Sequence, residues 1–199
     1  MIGDSMIKYP NGKISEPKTT VSKSSVKNRG MTLEKLINAS NAFYLGQGIA
    51  VIHKKPTPIQ IVNVAYPSRN KAKITEAYYQ TPSTTDYNGI YKGYYLDFDV
   101  KESRNKTSFP LKNIHVHQIE HLEKVNQHGG LAFLIIHLRY DDTFWLIPYN
   151  RLTFYVQRAL NGRKSMTHEE LKKESLPIKE SFRPRLDYLK TVDEWLKKT

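Results

Sequence analysis

Asp86, Asp99 and Lys101 are the residues of this chain whose types and spacing can do chemistry. Two carboxylates brought together hold a hard divalent cation, and a lysine beside them offsets charge on a phosphoryl group under attack. Whether they meet depends on the segment that joins them. Leu96-Asp97-Phe98-Asp99-Val100-Lys101 alternates strictly, so in a β-strand Leu96, Phe98 and Val100 face one way and Asp97, Asp99 and Lys101 the other. Gly89-Ile90-Tyr91 can form the preceding strand. With Lys92-Gly93 as a two-residue hairpin turn, Tyr91 pairs with Tyr94 and Asp86 falls opposite Asp99. Cross-strand side chains lie roughly 5 Å apart, near enough to share one cation and too near for two bare anions, so a metal is implied. Oxygen-only ligands suit Mg²⁺, with Mn²⁺ as a substitute. Lys101, two residues along at roughly 3.3 Å per residue, reaches the same space. Asn88-Gly89 is the competing turn, by itself the stronger turn dipeptide, and it puts Asp86 opposite Tyr91. The Lys92-Gly93 register is preferred because only it gives the acidic cluster a reason to exist. Spacing alone does not separate such a site from two aspartates and a lysine solvated on an exposed hairpin.

The elements around this hairpin follow from period and punctuation. Thr32 can cap a helix running to about Leu45, stopped by Gly46 and Gly48, and Ile49-Ala-Val-Ile52 reads as a buried strand. Between Lys54 and Pro82 three prolines break regular structure, while Ile59–Val64 and Lys73–Tyr79 have strand composition, so an extended two-stranded projection is expected there. Its Arg69, Lys71 and Lys73, interleaved with Tyr78 and Tyr79, suit phosphate contact and stacking on unpaired bases; tyrosines packed against a second subunit are the alternative. Ile114, Ile119, Leu122 and Val125 lie on a helical stripe that includes Gln118 and stops at Gly129-Gly130. Leu131–Leu138 and Phe144–Ile147 are apolar strands, and Tyr149–Leu160 is a helix. A Thr167 cap with Glu170 at the box position and a helix through Asp187–Lys197 follow. The order α, β, stalk, β-hairpin, α, β, β, α predicts an α/β fold, a mixed central sheet flanked by helices. His115, His117 and His121 offer no third zinc ligand and no His-Glu-x-x-His motif.

Composition points to a polyanionic partner: 31 Lys+Arg against 19 Asp+Glu give a formal charge of +12. Such a balance favours nucleic acid through counterion release, though a basic membrane-surface or ribosome-associated protein would share it. Cysteine is absent, which excludes disulfides, thiolate zinc sites and cysteine nucleophiles. The start carries no charged-then-apolar signal pattern and no apolar run approaches the roughly 20 residues that cross a bilayer, so a soluble, cytoplasmic protein is expected. Residues 1–30, basic and without an apolar period, read as a flexible arm, with a single domain over 31–199 carrying the stalk insertion at about 54–82.

The words Thr84-Thr85-Asp86-Tyr87-Asn88-Gly89 and Lys106-Thr107-Ser108-Phe109-Pro110-Leu111-Lys112-Asn113 resemble the RecU family of Holliday-junction resolvases, within the PD-(D/E)xK nuclease superfamily. The likeness continues in Asn28-Arg29-Gly30-Met31, Leu33-Glu34, His117-Gln118-Ile119-Glu120-His121 and Gly129-Gly130-Leu131-Ala132-Phe133, covering most of 28–160. It implies a restriction-endonuclease-like fold with a projecting stalk and a metal site in which Asp86 and Asp99 are the carboxylate ligands. Thr84 and Gln118 stand at positions the family uses around Mg²⁺, and Lys101 takes the place of the lysine that stabilises the transition state. Glu34 matches a superfamily acidic position, although a helical Glu is ordinarily a solvated surface residue. One position departs: the second acidic residue is usually Glu and here is Asp99. It is one methylene shorter but keeps both oxygens, so metal binding is expected with poorer alignment of the nucleophile and reduced activity. The expected function is a Mg²⁺-dependent, homodimeric endonuclease acting on four-way DNA junctions in recombination and repair, with recombination proteins as further partners. The alternatives are a repair or restriction-type nuclease acting on ordinary duplex and a non-catalytic junction-binding protein.

Overall fold

The computed structural model describes residues 31–69, 71–80 and 84–198, so the basic arm expected over 1–30 lies outside the described residues. The chain runs α1 (Leu33–Gly46), β1 (Val51–Lys54), β2 (Ile59–Ser68), β3 (Lys71–Tyr79), β4 (Tyr87–Tyr91), β5 (Tyr94–Ser103) and β6 (Ser108–Pro110). A single 3-10 turn then leads into α2 (Val116–Gln127), β7 (Leu131–Leu138), β8 (Thr143–Pro148), α3 (Tyr149–Asn161), β9 (Ser165–Thr167), α4 (His168–Glu174), β10 (Leu176–Ile178) and α5 (Tyr188–Leu196). Six strands form a mixed sheet in the order β1-β4-β5-β7-β8-β10. Only β5 and β7 run parallel, as the crossover through α2 requires, and the other neighbours are antiparallel. No helix among the described residues is long and apolar enough to cross a membrane.

Helices cover both faces, which is why β5 and β7 are buried along most of their length. On one face Phe98 and Phe133 stack at 4.7 Å between ring centroids, Phe98 meets Tyr188 at 5.3 Å and Phe133 meets Trp195 at 6.2 Å. Tyr44 of α1 packs edge-on against Tyr188 of α5 at 5.5 Å. On the other face Leu122, Leu134, Ile136, Ile147, Leu152 and Met166 join α2, α3, β7, β8 and β9 in one apolar cluster. The alternation of β5 therefore sorts its residues as expected: Phe98 goes into the aromatic layer, and Asp97 and Asp99 go to the face that α2 covers.

Register is the point on which the site depends. Tyr91 pairs with Tyr94, Asn88 with Asp97 and Tyr87 with Phe98, and the turn residues Lys92 and Gly93 have φ of 50° and 82°, the positive angles a tight primed hairpin needs. Asn88-Gly89 is thus mid-strand. Gly89 serves another purpose, since a Cβ there would lie 2.1 Å from the Val51 carbonyl oxygen and 2.6 Å from the Ile52 Cα. Only glycine lets β1 and β4 approach this closely.

Two expectations need correction. The segment Ile49–Ile52 is not a buried strand: β1 covers Val51–Lys54 at the sheet edge, where Ile52 is buried while Ile49 and Val51 are 43% and 50% exposed. An edge strand with one covered face needs only one of each pair of side chains inside. Secondly, β10, which closes the other edge, and the small β6–β9 pair were not expected. The projection is a two-stranded ribbon of β2 and β3, with register shifts near Asn63 and between Ala65 and Ser68, paired with no other strand among the described residues.

Candidate active site

Asp86 ends the short segment that enters β4, and the observed register carries it towards Asp99 in the middle of β5. Its backbone carbonyl accepts a 2.7 Å hydrogen bond from the Lys55 N–H, which fixes the segment against the end of β1. Asp99 is fully buried. Its Oδ1 accepts from the Val100 N–H at 2.7 Å, while Oδ2 lies 3.2 Å from the Lys101 ammonium and has no hydrogen-bond partner. Burial pushes the Asp99 carboxyl up to about 7; Lys101 pulls against that shift, and the Asp86 carboxylate reinforces it. An acid so placed is short of positive charge. The donor set therefore fits a hard divalent cation: two adjoining carboxylates, one with a buried oxygen that is ion-paired to Lys101 but accepts no hydrogen bond, and only oxygen ligands.

The same electrostatics set a stability prediction. In cation-free protein the folded chain keeps the Asp99 proton up to about pH 7, whereas the unfolded chain releases it near 3.8. The native state binds the extra proton in that window, so stability falls as pH rises from about 4 to about 7 and then levels. With EDTA present, Asp99→Asn should melt several degrees above wild type at pH 8 and close to it at pH 4.5. An offset that is the same at both pH values would count against a raised Asp99.

Other expected site residues fall around this pair. Thr84 is half-buried and lines, with Glu34, Lys54, Lys55, Thr85 and Asp86, a cleft of about 320 Å³. Glu34 is in the first turn of α1, whose end is tied to β5 by the Leu33 N–H bonding the Glu102 carboxylate at 2.5 Å. Its own carboxylate pairs with Lys54 at 2.9 Å. Gln118 is buried in the first turn of α2, and its Oε1 accepts from the His115 N–H at 3.1 Å, so it caps its helix. One turn further along, His121 bonds the Asp97 carboxylate at 3.0 Å, which holds α2 to the strand that carries Asp99. Among the described residues no three His, Cys, Asp or Glu side chains converge as a metal cage. The protein thus offers two carboxylates, the number Mg²⁺ commonly takes when waters and substrate phosphate complete its shell.

The family model for recombination protein U matches residues 28–194. The chain belongs to the RecU family. A Staphylococcus epidermidis protein named Holliday junction resolvase RecU is 53% identical over 196 residues, covering 94% of each chain. A Staphylococcus aureus (strain MRSA252) protein of the same name matches at the same identity and coverage. Among solved structures, Archaeoglobus fulgidus Hjc, described as a Holliday junction resolvase, aligns at 13% identity and a TM-score of 0.37 over 73% of this chain and 88% of its own, a likeness too slight to carry weight.

None of the five ribbon residues of this RecU-family chain lines the cleft beside Asp86. Arg69 is in the ribbon's turn, Lys71 pairs with Ser68, Lys73 with Ala65, Tyr78 with Gln60 and Tyr79 with Ile59. Tyr78 is 60% and Tyr79 85% exposed; the Tyr78 hydroxyl donates to Glu76 at 2.8 Å. The ten residues of β2 span roughly 30 Å at about 3.3 Å each, so Arg69 lies far out and Tyr79 near the root.

Sequence reasoning passed over Asp97. It put this residue on the Asp99 face and gave it no role, yet Asp97 is fully buried and takes hydrogen bonds from four side chains: Thr85, Lys55 at 2.9 Å, Tyr95 at 2.8 Å and His121 at 3.0 Å. Burial raises its carboxyl, but the bonds from Thr85, His121, Lys55 and Tyr95 outweigh burial and hold it below the usual range. Its presence on a strand face with two candidate site residues was the available signal. A larger cavity, about 560 Å³, adjoins it on the side of Tyr95, His121 and Lys124 and is lined by no carboxylate.

Proposed function

We propose that this chain is a divalent-cation-dependent endonuclease that resolves four-way DNA junctions, acting as a two-fold homodimer in the cytoplasm. The observation that carries the reading is the approach of Asp86 to a fully buried, under-partnered Asp99 with Lys101 at 3.2 Å, in a chain of the RecU family whose relatives are named for that activity.

Asp86 and Asp99 would hold the cation, Mg²⁺ with Mn²⁺ as a substitute, with Thr84 and Gln118 contributing to the same site. The chemistry supplied by such an ion is polarisation of the scissile phosphate and a lowered pKa for the attacking water. Lys101 orients that water and offsets charge as the phosphorus becomes five-coordinate. In-line attack with loss of the 3′ oxygen leaves 5′-phosphate and 3′-hydroxyl ends. A four-way junction presents two equivalent strands, which a C2 dimer matches. Arg69, Lys71 and Lys73 bind phosphates, while Tyr78 and Tyr79 stack on bases exposed at the open centre. Recombination proteins are further partners of the assembly.

The test compares a four-way junction with a linear duplex of identical sequence in Mg²⁺ and in Mn²⁺. Paired, symmetric nicks in the junction alone are expected. Equal rates on both substrates would replace resolution by general duplex cleavage, and tight junction binding with no cleavage in either metal would leave a binding protein.

A further inference from the structure

We infer that Asp97 is a positioning residue for the cation site, locking the Thr84–Asp86 segment and the start of α2 onto β5. The inference rests on the cation reading above and extends it to a residue that reading does not use. Asp97 has no exposed surface, so it does not meet DNA. What it meets is three separate parts of the site. Its Oδ1 accepts from the Thr85 hydroxyl, the residue next to Asp86. Its Oδ2 takes Lys55 Nζ at 2.9 Å, and the same ammonium reaches the Thr85 hydroxyl at 3.1 Å while the Lys55 N–H holds the Asp86 carbonyl at 2.7 Å. Lys55 thus grips residues 85 and 86 from one side while Asp97 grips Thr85 from the other. The third part is α2: His121 Nε2 lies 3.0 Å from Oδ2, and His121 is one turn beyond Gln118 on the same helical face. Tyr95 completes the set at 2.8 Å.

A buried carboxylate whose oxygens are both engaged, one by an ammonium of low exposure, does not rearrange easily. Asp86 sits on a loop, and a loop ligand holds its oxygen at a fixed distance from Asp99 only if something rigid holds the loop. The strand that carries Asp99 supplies that support two residues earlier.

The measurement is Mn²⁺ binding to the full-length, DNA-free chain by electron paramagnetic resonance, for wild type, Asp97→Asn and Lys55→Met, with thermal melts alongside. Asp97→Asn should weaken Mn²⁺ about 10- to 100-fold and Lys55→Met in the same direction, while junction affinity stays within twofold. Raised Mn²⁺ should restore part of the cleavage, which a general folding defect would not allow. Lys55→Met also separates positioning from direct ligation: were Asp97 itself a ligand, removal of its competing ammonium would tighten binding. If Asp97→Asn does not fold, Lys55→Met alone decides. Mn²⁺ affinity equal to or tighter than wild type in folded Lys55→Met overturns the inference. A wild-type chain that binds no Mn²⁺ is a different failure, which removes the cation reading and the inference together.

Discussion

Replacing Asp86 by Asn is expected to abolish cation-dependent cleavage of junction DNA, a loss of more than about 100-fold, while binding to the junction persists. The size follows from what the substitution takes away. Even groups that only orient a metal ligand cost 10–100-fold when removed, and Asp86 is one of the two carboxylates proposed to hold the cation. Asparagine keeps the shape and the backbone carbonyl that receives the Lys55 N–H, so the segment should hold its path. Removing the anion also relieves Asp99, whose carboxyl Asp86 helps to push up, so the variant should be at least as stable as wild type without cation. Binding should survive because the ribbon cations Arg69, Lys71 and Lys73 are remote from the change and the net positive charge rises by one. Cleavage rates and gel-shift titrations on one junction check both halves. Cleavage within tenfold of wild type would take Asp86 out of the mechanism.

That prediction could be framed from sequence because its parts are short-range. Period-two alternation assigned Phe98 and Asp99 to opposite faces, and both fell where a twofold repeat puts them. The choice between turns was harder, since Asn88-Gly89 is locally the better hairpin. It loses to a contact no local rule contains, the approach of Val51 and Ile52 to the bare Cα of Gly89. The strand β10 was hidden for a similar reason: it has three residues, one of them Pro177, and gains its identity by pairing with β8. Caps were readable, as Thr167 with Glu170 shows, because a cap is a bond between residues three apart. Asp97 marks the limit. Its partners Lys55 and His121 are 42 and 24 residues distant, and a carboxylate's job there is set by what folding brings to it. Gln118 lies between these cases: its helix was legible, its site role came from the resemblance, and the bond it makes is to its own helix end.

Asp99→Glu should raise the cleavage rate roughly 10-fold or more and lower the Mg²⁺ concentration needed for half-maximal rate. The resemblance to the RecU family implies Glu here, and the structure shows what the shorter side chain does instead. One Asp99 oxygen is turned back onto the next amide of its own strand, at 2.7 Å, and the other is left without a hydrogen-bond partner. An added methylene moves the carboxylate outward by about 1.5 Å, past that amide and towards Asp86 and Lys101. Misplacement of about 1 Å can cost about 100-fold in rate, so a tenfold gain is a moderate expectation. Against it stands crowding, since Asp99 is fully buried and one extra methylene in a packed interior costs roughly 1–3 kcal/mol. The cost should be partly absorbed, because Asp99 lies on the strand face opposite Phe98 and the aromatic layer. The two effects separate experimentally: crowding lowers the melting temperature, whereas improved alignment raises the single-turnover rate at saturating Mg²⁺ with junction affinity unchanged. A folded Asp99→Glu chain no faster than wild type would mean that the reach of this carboxylate does not limit the reaction.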